Sequence, residues 1–493
     1  MLLVLCAFTS NAMAQWVGNG TSASPWQIGD GQTNTASAVT AVLNGNTLTI
    51  SGTGNMADFM YSTEGEAPWN YQYYSNSSSI TNVVIQSGVT NIGDRAFHDL
   101  KNLQQCTIPN TVTQIGKEAF YMEHVTNTSF RSVTIPNSVN YVEGRAFMNC
   151  SGLETVDIQN GKTDITFLPT TAAVYYYDDH FTGCSSLKTL HIGRQLVLGD
   201  GFTGVNPFSL NPYIQSLTIG NTVIYPINFS GCTALKEVIL EDGTEDFDFQ
   251  NETFSSMIFN NCPIQILYLG RNIINCSVFG SGTSPFANNT TLTTVTIGNN
   301  VKSIIDESFN GCTNLASVSI PSSVTFIGQG AFYQCAKLTS ITIPSSVTSI
   351  GYQAFAGCNG LTQIICQNPN PPSAFDKSSF YNEYATPLYV PAASLSLYQN
   401  ATEWKNFFTI LPTGINEVIT SQLSIYPNPV KDNLFIKSDL QITKIEICSL
   451  EGSLLMQENN FKGKISVSAL PHGIYLLKVF TDKGVIVSRI VKE

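Results

Sequence analysis

Residues able to do chemistry are scattered through this 493-residue chain, and their spacing argues against catalysis. Twelve cysteines and five histidines are the main candidates for metal binding or nucleophilic attack. A zinc site needs Cys and His at close, regular spacing, yet no Cys-x-x-Cys pair exists and the histidines fall singly at 98, 124, 180, 191 and 472. Nucleophilic catalysis needs Ser or Cys beside His and an acid, and no Gly-x-Ser-x-Gly elbow or comparable signature is present. The run EDGTEDFDFQNE, Glu241 to Glu252, offers paired carboxylates for glycoside hydrolysis or a loose calcium loop. It lacks the regular Asp spacing of such a loop, and a solvated acidic turn is the simpler reading. In YYYDDHF, Tyr175 to Phe181, the residues Tyr175, Tyr177, Asp178 and Asp179 have the composition of a binding patch, because tyrosine supplies rigid contact area with a polar handle. Strand alternation puts Tyr176 inward. No catalytic residue, metal site or cofactor is expected, and the chain reads as a non-enzyme.

The elements that carry these residues follow a repeat. From Leu292 the chain reads LTTVTIGNNVKSIIDESFNGC, from Leu315 LASVSIPSSVTFIGQGAFYQC and from Leu338 LTSITIPSSVTSIGYQAFAGC, with Leu292, Leu315, Leu338 and Leu361 each 23 residues apart. A fixed period of this length is the signature of a solenoid. The template runs back through Ile80, Leu103, Phe130, Leu153, Leu187, Ile214, Leu235 and Ile264, giving about a dozen coils. The largest excess, between Leu153 and Leu187, must leave as a surface loop.

Within a coil, Val318 and Ile320, or Ile341 and Ile343, alternate with Ser or Thr, the period of two that a half-buried strand requires. Pro321, Pro344 or Gly298 then ends the strand, since Pro cannot donate to a ladder. Phe and Cys three residues apart, as in Phe355 and Cys358, share one face of a single helical turn and close the coil inward. Seven cysteines hold that slot: Cys150, Cys184, Cys232, Cys262, Cys312, Cys335 and Cys358. Buried Cys behaves as a small hydrophobe. Packed free thiols are therefore favoured over stacked disulfides, and removing Cys6 with a leader leaves an odd count that cannot pair completely. Outward residues Thr134, Thr296, Ser319 and Thr342, each between two inward residues, form a polar ladder along the sheet and are the candidate binding face.

Charged residues make up 12% of the chain and the net charge is −12. From Asn416 onward nine Lys and Arg meet eight Asp and Glu, so the acidity lies in the preceding body. An acidic body repels phosphate backbones and anionic headgroups, which excludes nucleic acid and a peripheral membrane surface as partners. Met1 to Ala14 reads as a signal peptide cut between Ala14 and Gln15. No later stretch has the roughly 18 apolar residues of a transmembrane segment.

The 23-residue pattern, over roughly Ile80 to Cys366, resembles the BspA-like leucine-rich repeats of bacterial surface proteins. Leu43 to Phe59 with Ala67 to Asn70, and Pro387 to Ile410, resemble the end caps of that class. The tail is different: LSIYPNPVKDNLFI, ITKIEICSLEG and ISVSALPHGIYLLKVFTDKG are short alternating segments separated by Gly, Pro and Asn, enough for about seven strands. Over about Asn416 to Glu493, Pro427, Asn428, Pro429, Leu470, Pro471, Gly473, Ile474, Tyr475 and Lys492 resemble the C-terminal sorting domain of the type IX secretion system of the Bacteroidetes. Cys448 departs from that pattern.

The expected fold is mainly β, a leucine-rich-repeat solenoid of about twelve coils with N- and C-terminal caps, followed by a small Ig-like β-sandwich. The expected divisions are a signal peptide at 1–14, a cap at 15–79, repeats at 80–366, a second cap at 367–412, a linker at 413–421 and the sorting domain at 422–493. The resemblances imply a protein exported by the type IX machinery, secreted or held on the outer-membrane surface after removal of the sorting domain. It would recognise or adhere to cell-surface proteins or glycans. A secreted hydrolase or protease inhibitor using the middle coils, or a structural surface-layer component, are the alternatives.

Overall fold

In a computed structural model of the chain, the structure describes residues 16–31, 38–60, 66–70, 75–169, 180–199, 207–208, 211–225, 227–249, 258–274, 284–374, 379–380, 384–413, 423–438, 440–449, 454–459, 461–481 and 484–493. They fall into two compact units, Met1–Thr362 with Pro372–Glu383, and Gln363–Pro371 with Tyr384–Glu493.

In the first unit, all twelve residues that open the coils, from Ile80 to Leu361, are buried. Each is followed by a short strand whose alternate residues are inward. Eight of these strands, from Ser132–Ile135 through Thr155–Ile158, Thr189–Ile192, Ser216–Ile219, Glu237–Leu240, Ile266–Leu269 and Thr294–Ile297 to Ser317–Ser319, pair in parallel as one sheet. A slip of one residue would turn every buried Val, Ile and Leu outward. The register accordingly holds even where the intervening chain lengthens. A second short strand in most coils, such as Gln114–Ile115 or Phe326–Ile327, builds a further set of parallel pairs. At the N-terminal end the hairpin Val39–Asn44 and Thr47–Gly52 pairs antiparallel within itself and parallel to Asn82–Ile85.

The third side of each coil is the Phe-x-x-Cys turn. The residue before each of the seven cysteines has φ between 58 and 84°, and it is Gly at four positions and Asn at two. That left-handed conformation is open to Gly and tolerated by Asn, which explains the recurring Gly-Cys and Asn-Cys pairs. The phenylalanines stack into columns: Phe97, Phe120, Phe147, Phe181 and Phe208 follow one another at 5.2, 5.0, 5.2 and 4.6 Å between ring centroids. Farther on, Phe309, Phe332, Phe355 and Phe380 are spaced at 5.4 Å. Trp69 continues the first column, stacking on Phe97 and donating its indole N–H to the Ala96 carbonyl at 2.9 Å. Six of the thiols donate to a phenylalanine carbonyl of the coil before, at 3.1–3.3 Å, as Cys358 does to Phe332, and Cys232 donates to Asn211. All seven are buried thiols outside any disulfide. The cysteine thus satisfies a backbone acceptor while filling an apolar slot.

The second unit contains the parallel strands Gln363–Cys366, Leu388–Val390 and Ile410–Pro412 and the six-residue helix Leu395–Asn400. Buried Tyr398 on that helix donates to the Asn368 carbonyl at 2.7 Å and packs edge-on against Trp404. Among the described residues the tail forms seven strands in two sheets. Leu423–Tyr426, Asn433–Ser438 and Lys464–Ser466 make one, and Leu454–Glu458, Ile442–Cys448, Gly473–Thr481 and Gly484–Lys492 make the other. Leu434, Ile436, Ile445, Ile447, Leu477 and Val479 form their common core. Asn428 accepts the Val491 N–H at 2.8 Å, tying the Pro-Asn-Pro segment to the last strand, and the Tyr475 hydroxyl donates to the Pro471 carbonyl.

Candidate functional site

The parallel register carries one outward residue from each strand of the large sheet into a single row. Its order is Thr134, Asp157, His191, Thr218, Ile239, Tyr268, Thr296 and Ser319. Three of the four residues expected on a binding face therefore stand in this row, and the fourth, Thr342, is exposed on Ser340–Ile343. Tyr175, Tyr177, Asp178 and Asp179 lie outside the described residues, as do Ala14 and Gln15. Among the sorting residues, Tyr475 packs in the tail core, while Pro427, Asn428, Pro429 and Lys492 are not buried.

In the middle of the row the Ser and Thr pattern breaks. Asp157 and His191 are register partners, and Asp157 Oδ1 lies 2.6 Å from His191 Nδ1. Glu241, just beyond the strand Glu237–Leu240, leans back across two coils, its Oε1 3.6 Å from His191 Nε2 and its Oε2 accepting from Asn160 Nδ2 at 3.2 Å. This crossing depends on Gly193 and Gly220, where an added Cβ would stand 2.5 and 2.6 Å from Asn160 Oδ1. Next to it the Tyr268 hydroxyl donates to Asp242 Oδ1 at 2.8 Å. Partial burial and that carboxylate raise the tyrosine's pKa, so it stays a donor. Ile239 is the register partner of Tyr268, and Ile266, on the same face, is 47% exposed. The result is an apolar centre with a carboxylate border.

This pair of His and Asp does not make a hydrolytic triad. Among the described residues His191 Nε2 has no hydrogen-bond partner, so no serine or cysteine of that set stands ready to give it a proton. Among the described residues no group of three or more His, Cys, Asp and Glu side chains is placed to hold a metal ion. A second charged cluster covers the turns of the early coils, where Arg95 pairs with Glu118 and lies 3.4 Å from Glu123, while His98 Nε2 lies 3.3 Å from Glu123. Burial, the largest influence, holds the His98 pKa down. That cluster ties neighbouring coils together.

The acidic run read as a solvated turn is only partly so. Phe247 and Phe249 are fully buried and meet edge-on at 5.0 Å, and Asp246 accepts from Asn272 at 2.9 Å. Sequence inspection passed over Asp157, Ile239 and Tyr268, counted His191 only as a scattered histidine and placed Glu241 in a solvated acidic turn. Aligning the coils and asking which outward positions are neither Ser nor Thr would have found four of them.

The BspA type leucine rich repeat region matches residues 70–168, 168–284 and 281–406 of this chain. The chain belongs to that family. The secretion system C-terminal sorting domain matches residues 424–493, and the protein is secreted or displayed at the cell surface, sorted by type IX secretion. No curated protein matches the chain significantly. Among solved structures, a leucine-rich repeat protein from Bacteroides ovatus is 20% identical, covering 76% of this chain and 98% of its own, with a TM-score of 0.33. One from Eubacterium ventriosum is 21% identical over 66% of this chain and 88% of its own, at 0.24. A leucine rich cell surface protein from Faecalibacterium prausnitzii is 18% identical over 77% and 94%, at 0.19. Within this family member no helix among the described residues is long and apolar enough to cross a membrane.

Proposed function

We propose that this leucine-rich-repeat protein is a non-enzymatic recognition or adhesion module that uses the outward face of its large sheet to bind proteins or glycans at a cell surface. The observation that carries the reading is the unbroken row from Thr134 to Ser319, in which eight parallel strands expose one residue each at a spacing of about 4.8 Å. An extended, shallow face of this kind suits contact with a macromolecule more than enclosure of a small substrate. The linker at 413–421 would leave the sorting domain removable without unfolding the repeats.

Purified full chain on glycan, matrix-protein and cell-surface-protein arrays tests the first half. Selective binding supports the reading, and silence on every array together with turnover of a substrate panel refutes it. Deleting Asn416 to Glu493 tests the division of labour, since the truncated chain should accumulate in the periplasm instead of reaching the surface. Surface delivery in normal amounts would show that the tail is not its address.

A further inference from the structure

The middle of the outward row departs from Ser and Thr in a directed way. At the centre, Ile239 and Tyr268 stand opposite each other in register and Ile266 is exposed two residues before Tyr268. Past the end of Glu237–Leu240, Glu241 and Asp242 form one border, and Asp157 stands in the row itself, three strands before Ile239. On the opposite border, Arg131 and Lys188 both lie against Glu154, which leaves Lys236 as the cation without such a partner among the described residues. From Asp157 to Tyr268 is four strand steps, about 19 Å at 4.8 Å each, enough for an extended segment of five or six residues at roughly 3.3 Å per residue.

Apolar contacts at the centre and charge at the border are the anatomy of a protein interface. Hydrophobic attraction alone would accept many partners, and the sign of the border narrows the choice. Two carboxylates beside one imidazole, with a third on Tyr268, favour a cation, and electrostatic complementarity governs partner selection and encounter rate. The carboxylates are also held in place: Tyr268 fixes Asp242, Asn160 fixes Glu241, and His191 fixes Asp157. A partner therefore meets an ordered border.

We propose that Ile239, Ile266 and Tyr268, bordered by Asp157, Glu241 and Asp242, form the docking centre of the solenoid for a basic peptide segment that alternates aliphatic residues with Lys or Arg. This rests on the recognition reading above and names its partner class. The aliphatic side chains would cover the isoleucines while the cations reach the carboxylate border.

The test uses the full chain and immobilised synthetic peptides of alternating Leu and Lys, Leu and Glu, or Leu and Ser. The Lys peptide should bind at least tenfold more tightly than the Glu and Ser peptides, and the preference should weaken as salt rises. The double variant Ile266→Thr with Tyr268→Thr, which restores the pattern of neighbouring coils, should lose at least fivefold in affinity with its thermal unfolding unchanged. Glu241→Gln with Asp242→Asn should lose the charge preference, while the distant control Thr342→Ser keeps it. Equal binding of the three peptides, or variants that bind as well as the parent, overturns the docking centre. If arrays of proteins and glycans still bind the chain while these variants leave that binding untouched, the recognition function stands and its docking centre lies elsewhere. If nothing binds on arrays or peptides, both readings fall.

Discussion

The coils from Leu292 to Cys358 and those from Leu153 to Asn289 repeat the same inward pattern by different means. In the regular coils the turn after the strand is closed locally, Val324 donating to the Pro321 carbonyl and Val347 to that of Pro344, each at 3.1 Å. The turns at Pro136 and Gly220 keep that local bond, from Val139 and Val223 at 3.1 Å, and two fully buried arginines of the middle coils brace them from a distance. Arg194 donates to the carbonyls of Pro136 and Asn137, and Arg271 to those of Gly220 and Asn221, all at 2.8–2.9 Å. Each reaches past an intervening coil through the space beside a glycine, Gly161 or Gly243, where a Cβ would meet the arginine Cδ at 3.2 or 3.3 Å. Arg271 also lies 5.0 Å over the Phe247 ring. Burial lowers both pKa values to about 10, so both remain cations at neutral pH. Strand register is thus the invariant, and any device that satisfies the turn carbonyls serves. Freed of the Pro-Ser-Ser turn, the middle coils carry the only outward positions in the sheet where Asp, His, Ile and Tyr replace Ser and Thr among the row residues.

Breaking the stack in the regular coils should have the largest effect. Phe332→Ala removes a ring packed at 5.4 Å on both sides and should cost about 3–5 kcal/mol. Chemical denaturation followed by far-ultraviolet circular dichroism would read it, and an unchanged profile would mean that the column contributes nothing. In the middle, Arg271→Met removes two charge-assisted bonds worth roughly 1.5–3 kcal/mol each, leaving Gly220 with the Val223 N–H alone and Asn221 without the arginine donor, so a loss of about 3 kcal/mol is expected. Hydrogen exchange should show faster opening in residues 216–274 than in 315–358. If both segments opened alike, the arginine would not be a local closure.

The middle coils should also be the more acid-sensitive. His180 is fully buried, donating its Nε2–H to the Val142 carbonyl at 3.1 Å, and burial holds its pKa down to about 4 against 6.5 for a free imidazole. Between those values the unfolded chain takes up a proton that the folded chain refuses. Stability is therefore complete above pH 6.5 and falls as pH drops toward 4, by at most about 3 kcal/mol. His180→Phe should flatten that dependence in a pH series of unfolding curves, and a slope unaltered by the substitution would assign it to other groups.

The smallest effect concerns the thiols. Burial pushes the Cys184 and Cys312 pKa values up to about 12, so neither forms the reactive thiolate near neutrality. Cys335→Ser keeps a donor for the Phe309 carbonyl and should cost less than about 1.5 kcal/mol. Thiol labelling of the folded chain should leave all seven repeat cysteines unreacted, and denaturation should expose them. Rapid labelling of either the regular or the middle set in the native state would locate a coil that opens more readily than its packing implies.

The sequence by itself determined the solenoid, because the twelve buried positions from Ile80 to Leu361 recur in a local pattern that each coil must repeat to stack. Left-handed turns wrote themselves as Gly-Cys and Asn-Cys for the same local reason. The tail's seven strands were legible from alternation and turn residues. Only the tertiary structure decided what lies across coils. Glu241 meets Asn160 from 81 residues away, and Arg194 meets Pro136 from 58. Neither contact follows the 23-residue period, since the arginine bracing is described only at Arg194 and Arg271 and both kinds of contact depend on glycines in the coils between. Periodicity reports what every coil shares, whereas a binding face is made of the residues by which one coil differs from the next, and stacking alone brings those differences side by side.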